Sequence, residues 1–274
     1  MTKIESQIPW VIFRLLEQKF AVSAKQVKEM VKMPTVIPVP KAPDYFRGVI
    51  NLRSKVIPVI DLRVKMGMPS FQKEIQGLID LLTQREQDHK NWIAELESSV
   101  KEKREFKLAT DPHKCAFGKW YDTFTTENRI LGTCLKKFDV PHKKIHSIAV
   151  DVKNKENKND FKAAFKIIEK TKQDELAQMI LLFEEARTLI SDDQKEIALV
   201  LENSDHYVAL AVDAIETIEK LSLADIEDMP QLITTQADDI ISAIGKRENE
   251  KGLVQLLEVA SFFEDTNIHY YTTE

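Results

Sequence analysis

Residues Gly48–Pro69 read GVINLRSKVIPVIDLRVKMGMP. Short β-branched runs alternate here with polar pairs, Pro and Gly, a texture that predicts strands joined by tight turns. The stretch Trp10–Met33, WVIFRLLEQKFAVSAKQVKEMVKM, has the same texture, so the first segment is expected to be mainly β. Past Pro69 the period changes. Ile75, Leu78, Ile79, Leu82, His89, Ile93, Leu96 and Val100 recur at helical steps, which predicts one long amphipathic helix. A further helix is expected from about Asp160, after the polar approach KNKENKND, with Phe161, Phe165, Ile168, Leu176, Met179, Ile180 and Phe183 on one side. Between residues 71 and 194 glycine occurs only at 77, 118 and 132, as suits a helical bundle. After SDDQ (Ser191–Gln194) the strand pattern returns in EIALVLENSDHYVALAVDAIETIEKL, and GLVQLLEVASFF supplies a last strand and a short helix. The order β, α, β gives an α+β chain in which a helical domain (71–194) interrupts a β domain (1–70 and 195–274). The junctions near Pro69 and Ser191 should then lie close together, so that the β domain can close as it would without the insert.

Composition supports a globular protein: 274 residues with 43% hydrophobic content can bury one large core or two ordinary ones. No apolar run approaches bilayer length, and the N-terminus MTKIESQIPW lacks the apolar stretch of a signal peptide. A cytoplasmic location without membrane insertion is expected. The net charge of −5 divides unevenly, with +7 in residues 1–70, 0 in 71–194 and −12 in 195–274. The basic and acidic ends can complement each other if they fold together, or simply form solvated faces. No basic stripe interleaved with aromatics is present, which argues against nucleic acid.

Two cysteines, Cys115 and Cys134, do not form a secreted disulfide framework, so a metal or redox role has to be weighed against simple burial. His89 occupies a core position of the first helix, as a ligand or as a hydrogen-bonded core histidine. Asp139 is placed as an N-cap with Pro141 in the first turn, which sets His142 and His146 four apart on one helix face. Two imidazoles at that spacing can meet one metal ion. Cys115 precedes a short helical turn whose Phe117, Trp120 and Phe124 point to a core, where a cysteine is otherwise a small hydrophobe. Together the four residues bring three imidazoles and one thiol to inward faces of separate helices. Zinc suits that borderline-soft donor set better than magnesium or calcium.

DHKNW (Asp88–Trp92), CAFGKWY (Cys115–Tyr121) and PHKKIH (Pro141–His146) resemble the motifs of the CZB, or chemoreceptor zinc-binding, domain over roughly residues 72–190. That resemblance implies a four-helix fold and a three-His, one-Cys zinc site, here His89, Cys115, His142 and His146. His113 falls outside the pattern and is assigned to solvent or to the surroundings of the site. The flanks, VIFRLLEQKFAVSAKQVKEMVKM, VPKAPDYFRGVINLRSKVIPVIDLRVKMG and IALVLENSDHYVALAVDAIETIEKL, resemble the CheW adaptor family over residues 8–70 and 195–265. This implies a pair of small β-barrels and a non-catalytic adaptor that links the cytoplasmic tips of chemoreceptors to a CheA-type histidine kinase, at membrane-associated receptor arrays. The function-sensitive Arg of N-L-R and Glu of V-x-E in that family correspond to Arg53 and Glu29, which could instead form an internal ion pair orienting the two barrels. Family members usually carry Gly where this chain has Ser54, so a different turn conformation is expected there.

The resulting expectation is a chemotaxis adaptor whose coupling responds to zinc, or to oxidation of the zinc-bound Cys115, with a homodimer through the helical domain left open. The alternative is an adaptor whose zinc is purely structural. A zinc hydrolase is disfavoured because four protein ligands leave no position for water, and no motif supports Glu86 or Glu95 as a base.

Overall fold

The computed structural model describes residues 7–192, 195–228, 240–247 and 252–265. Two compact units emerge, one built from the chain up to Lys73 and from Gln194 onward, the other from Glu74–Asp193.

The first unit contains β1 (Gln7–Leu15), β2 (Gln18–Ser23), β3 (Val27–Lys32), β4 (Phe46–Leu52), β5 (Lys55–Asp61), β6 (Ile197–Asn203), β7 (His206–Val212), β8 (Ala214–Ser222), β9 (Ile226–Asp228), β10 (Ile241–Lys246) and β11 (Leu253–Leu257). They form a six-stranded sheet, β8-β1-β2-β11-β10-β9, and a five-stranded sheet, β3-β6-β7-β5-β4. Among the described residues neither sheet closes into a barrel by a continuous ladder. In the second, the chain just beyond β3 crosses to the far edge and makes one bridge, Ile37 with Val49, so closure there is a single contact. Each sheet joins strands from both ends of the sequence: β1 pairs with β8, and β5 runs parallel to β7. One core accordingly combines Phe13, Phe20 and Ile60 with Leu199, Leu201, Val208 and Leu210. Neither half can bury its apolar face alone, and at about 1.5–3 kcal/mol per buried aliphatic or aromatic side chain the two fold as one.

The charge asymmetry has a structural counterpart. Lys19–Glu216, Lys28–Glu202, Arg47–Glu196 and Arg63–Asp213 all pair the basic N-terminal segment with the acidic C-terminal one. Where the chain leaves for the helical unit and where it returns, the Gln72 amide donates to the Glu196 carboxylate (2.9 Å), and Met33 N–H donates to the Glu196 carbonyl (2.9 Å). Burial pushes the Glu196 carboxyl up, against the opposing pull of Arg47. Between β4 and β5 the two-residue turn Arg53–Ser54 has φ of 50° and 66°. The expected departure at Ser54 does not occur. Pairing of Leu52 with Lys55 demands a mirror-image turn with positive φ at both positions, and serine adopts it at a cost of about 1 kcal/mol. After β5, Asp61 caps the short α1 (Leu62–Lys65) by accepting from Val64 N–H.

The helical unit begins with α2 (Phe71–Glu102), whose first turn belongs to the β unit and is capped by the Ser70 hydroxyl. It continues with α3 (Ala116–Tyr121), α4 (Arg129–Lys136), α5 (Asp139–Glu156), α6 (Phe161–Thr171) and α7 (Ala177–Ser191). A π turn at Lys172–Leu176 joins α6 to α7. Its extra residue lets the buried stripe Ala164, Ile168, Thr171 resume at Leu176, Met179 and Phe183 on the same face. With α6–α7 counted as one, α2, α4, α5 and α6–α7 form the four-helix bundle around Ile93, Leu96, Phe138, Ile145, Ile168 and Phe183. One expected detail is corrected: Asp139 is not the N-cap of α5. Phe138 takes that position, and the Asp139 carboxylate lies inside the first turn, paired with Lys143 one turn on (2.8 Å). No helix among the described residues is long and apolar enough to cross a membrane.

Candidate metal centre

One donor atom each from His89, Cys115, His142 and His146 lies within 4.8 Å of every other. His89 comes from the middle of α2, His142 and His146 from successive turns of α5, and Cys115 from the N-cap of α3. The three imidazoles are 1–4% exposed, while Cys115 is half-buried. Cys115 Sγ lies 3.3 Å from His142 Nε2. Donors around a tetrahedral zinc stand about 3.3–3.6 Å apart, given zinc–nitrogen and zinc–sulfur bonds of about 2.0–2.1 and 2.3 Å.

Whether the residues suit a metal is decided by their unused atoms. His89 Nδ1 bonds the Arg85 carbonyl (2.7 Å) and His146 Nδ1 bonds the Ala109 carbonyl (3.2 Å). A carbonyl can only accept, so both Nδ1 atoms carry the proton and both Nε2 atoms keep a lone pair. Among the described residues, His89 Nε2 and His146 Nε2 are buried with no hydrogen-bond partner. A buried acceptor left unmade costs about 1–3 kcal/mol, and two converging on a thiol are accounted for by a cation among them. Burial, reinforced by the neighbouring imidazoles, depresses His142 to about 3 and His146 to about 4, and burial lowers His89 as well. All three are therefore neutral near pH 7, the form that binds metal. Burial raises the Cys115 thiol, against the lowering effect of the Gly118 and Phe117 N–H groups, so a dication is what would draw off its proton.

The aromatic and glycine positions of the motifs hold these donors in place. Trp92 packs its ring against His146, tilted by 60° with centroids 4.9 Å apart, and donates Nε1–H to Ala109 O (2.9 Å), the carbonyl that also fixes the His146 tautomer. Phe117 sets its ring edge-on to both His89 and His142. Gly118 lies under the Pro112–Lys114 turn so closely that a Cβ there would fall 1.9 Å from Pro112 O. That contact allows Gly118 N–H to donate to Cys115 Sγ (3.2 Å).

The other singled-out residues lie elsewhere. His113 is exposed and bonded to Asp122 (2.9 Å). Cys134 is a free thiol buried against Leu182. Glu86 is held by Lys90 and Arg187, and Glu95 by Arg104. Arg53 and Glu29 form an ion pair at 3.0 Å, but both belong to the five-stranded sheet, one at the β4–β5 turn and one on β3. The pair therefore does not orient one sheet against the other. Sequence reasoning missed Ala109 and Arg85, whose contributions are backbone carbonyls and so carry no residue-type signal; only the H-x2-W spacing hinted at the first.

A β-sheet unit interrupted by a helical bundle with a His3Cys cluster defines the class: a two-sheet protein carrying a metal-binding insertion. Residues 9–89 and 176–267 match the CheW-like domain, and residues 89–153 match the chemoreceptor zinc-binding domain. The chain belongs to the CheW-like domain family and carries a chemoreceptor zinc-binding domain between the two matched regions. Among curated relatives, the chemotaxis protein CheW of Rhizobium meliloti is 35% identical over 69 residues, 25% of this chain and 44% of that protein. That of Treponema pallidum is 43% identical over 64 residues, covering 23% and 38%. That of Bacillus subtilis is 30% identical over 102 residues, covering 37% and 65%. The chain thus spans less than two thirds of the length of each. The crystal structure of the scaffolding protein TtCheW from Thermoanaerobacter tengcongensis aligns with 93% of this chain and 90% of its own at 14% identity and a TM-score of 0.44.

Proposed function

We propose that this chain is a non-catalytic chemotaxis adaptor that couples chemoreceptors to a CheA-type histidine kinase in the cytoplasm, at receptor arrays, and that the bundle regulates this coupling through zinc. His89, Cys115, His142 and His146 would hold the ion, with the Arg85 and Ala109 carbonyls fixing two of the imidazoles. Zinc bound there would supply a closed tetrahedral centre. The observation that carries the reading is the pair of orphaned Nε2 atoms facing a thiol, inside an insertion that interrupts an adaptor-family domain. Cys115 is the most exposed of the four donors and the only one an oxidant readily modifies, so either zinc occupancy or thiolate oxidation could be the input. Arg53, 79% exposed at the tip of a hairpin and held by Glu29, is proposed as a partner contact. Homodimerisation through the bundle is part of the same proposal and is read by sedimentation.

The test is metal analysis of the purified protein, with kinase and receptor pull-downs before and after chelation and mild oxidant. About one zinc per chain, and kinase binding that changes when zinc is removed or Cys115 is oxidised, is the expected result. Zinc retention with binding indifferent to both treatments would leave the metal purely structural, and absence of kinase binding would refute the adaptor role.

A further inference from the structure

A cavity of about 310 Å³ opens beside the cluster and is lined by three of its four donor residues, His89, Cys115 and His146. Asp88 on α2, Leu108 and Ala109 in the following loop, and Ala116 at the start of α3 also line it. The imidazoles are almost wholly buried, so an ion needs an opening to reach their free Nε2 atoms. Asp88 is among the residues that line the cavity; its carboxylate pairs with Arg85 Nε (3.1 Å) and accepts from the Gln84 amide (3.0 Å), and its side chain remains about a third exposed. The Arg85 contact is an ion pair without hydrogen-bond geometry, so the carboxylate keeps oxygen lone pairs for a passing cation.

We infer that this cavity is the route by which zinc reaches and leaves the cluster, with Asp88 as the carboxylate that first captures the ion and Arg85 as the charge that restrains it. The inference rests on the zinc reading above and concerns how fast the centre responds, not whether it exists. A carboxylate lining a low-dielectric cleft raises the local concentration of a dication, and a guanidinium beside it lowers that concentration. The two side chains should therefore act with opposite sign. The His89 contact to Arg85 uses the backbone carbonyl, so changing the Arg85 side chain leaves that bond in place.

The experiment uses the full chain, zinc sulfate and a fluorescent zinc indicator, measuring loading of the stripped protein and release into excess chelator by stopped flow. Leu108→Trp and Ala116→Phe narrow the cavity at two of its lining positions, both exposed enough to leave the fold intact, which circular dichroism checks. Both should slow loading and release by the same factor, about tenfold, leaving affinity unchanged, because an obstructed route alters rates and not the equilibrium. Asp88→Asn should slow loading about threefold, and Arg85→Gln should speed it. Wild-type rates in both narrowed variants, or Asp88→Asn and Arg85→Gln shifting loading in the same direction, would overturn the route while leaving the zinc site standing. Failure of the unaltered protein to retain zinc would overturn both.

Discussion

Replacing Gly118 by alanine is a test of the metal centre that touches none of its ligands. The added Cβ would lie 1.9 Å from Pro112 O, 2.9 Å from Pro112 C and 3.0 Å from His113 Cα, all of them backbone atoms that no rotamer change can move aside. A carbon clears a carbonyl oxygen at about 3.3 Å, so the Pro112–Lys114 turn and α3 must separate by roughly 1.4 Å. Cys115 is the residue between them, and its Sγ accepts from Gly118 N–H. Metal bonds tolerate a displacement of about 0.2 Å, so Sγ leaves the reach of an ion held by the three imidazoles. Zinc affinity, measured by competition with a chromophoric chelator, should fall at least about 10–100-fold, the range seen when groups supporting a ligand are lost. Overpacking should also cost the helical unit about 1–3 kcal/mol. The control is Gly132→Ala in α4, where the nearest atom is the Thr126 methyl at 3.7 Å. There the gain in helix propensity should stabilise the unit by about 0.8–1 kcal/mol with zinc affinity unchanged. A Gly118→Ala protein that binds zinc as tightly as the unaltered chain would refute the assignment of Cys115.

His142→Ala should keep the helical circular-dichroism signal and lose zinc; collapse of that signal would instead favour a structural staple. Ser54→Gly removes a side chain from a left-handed turn position and should raise the stability of the β unit by about 1 kcal/mol, read as a higher unfolding midpoint. For the zinc-free protein, burial holds His142 near 3 and His146 near 4, whereas the unfolded chain titrates near 6.5. The unfolded form therefore binds more protons between these values. The contribution of these groups is fully present above about pH 6.5 and lost as pH falls through the folded values, so the urea midpoint of the helical signal should drop between pH 7.5 and 5.5. A midpoint that stays level over that interval would contradict the burial of these rings.

The change of period at Pro69 and its return after Gln194 were legible because burial imposes a two-residue repeat on strands and a helical repeat on α2. β9 and β10 were not. β9 has three residues, and β10, ISAIGK, carries Ser and Gly, where Gly245 sits so close to Leu221 that a Cβ would approach it to 2.8 Å. The Leu221 and Val254 side chains fill the space a Cβ would take, so glycine sits there against local strand propensity. The cap of α5 was misplaced for a similar reason: Asp139 has the chemistry of a cap, but α5 begins one residue earlier in register, where Phe138 is needed in the core. The four candidate donors were legible from residue type and spacing. The carbonyls of Arg85 and Ala109 were not, since every residue has one and only the fold decides which faces an imidazole.

The depth of the bundle core bears on how zinc could act as a signal. In small metal-folded domains the ion supplies most of the folding free energy, so its loss unfolds the chain. Here Leu96, Val100, Ile148, Val152, Ala164, Ile168, Met179 and Ile190 are buried in a core whose side chains pack on one another. Emptying the centre would strand His89 Nε2 and His146 Nε2 at about 1–3 kcal/mol each, less than the burial of a few such side chains returns. The cheapest relief is then local. His89, His142 and His146 sit on the long helices α2 and α5, whereas Cys115 lies on a turn between short elements and is the least buried donor. On the proposed reading, losing zinc or oxidising the thiolate would release the Pro112–Ala116 segment and leave the helices folded. Hydrogen exchange with and without chelator would show it: protection lost at residues 109–118 and kept across α5 and α7 is expected, and uniform loss throughout the bundle would refute it.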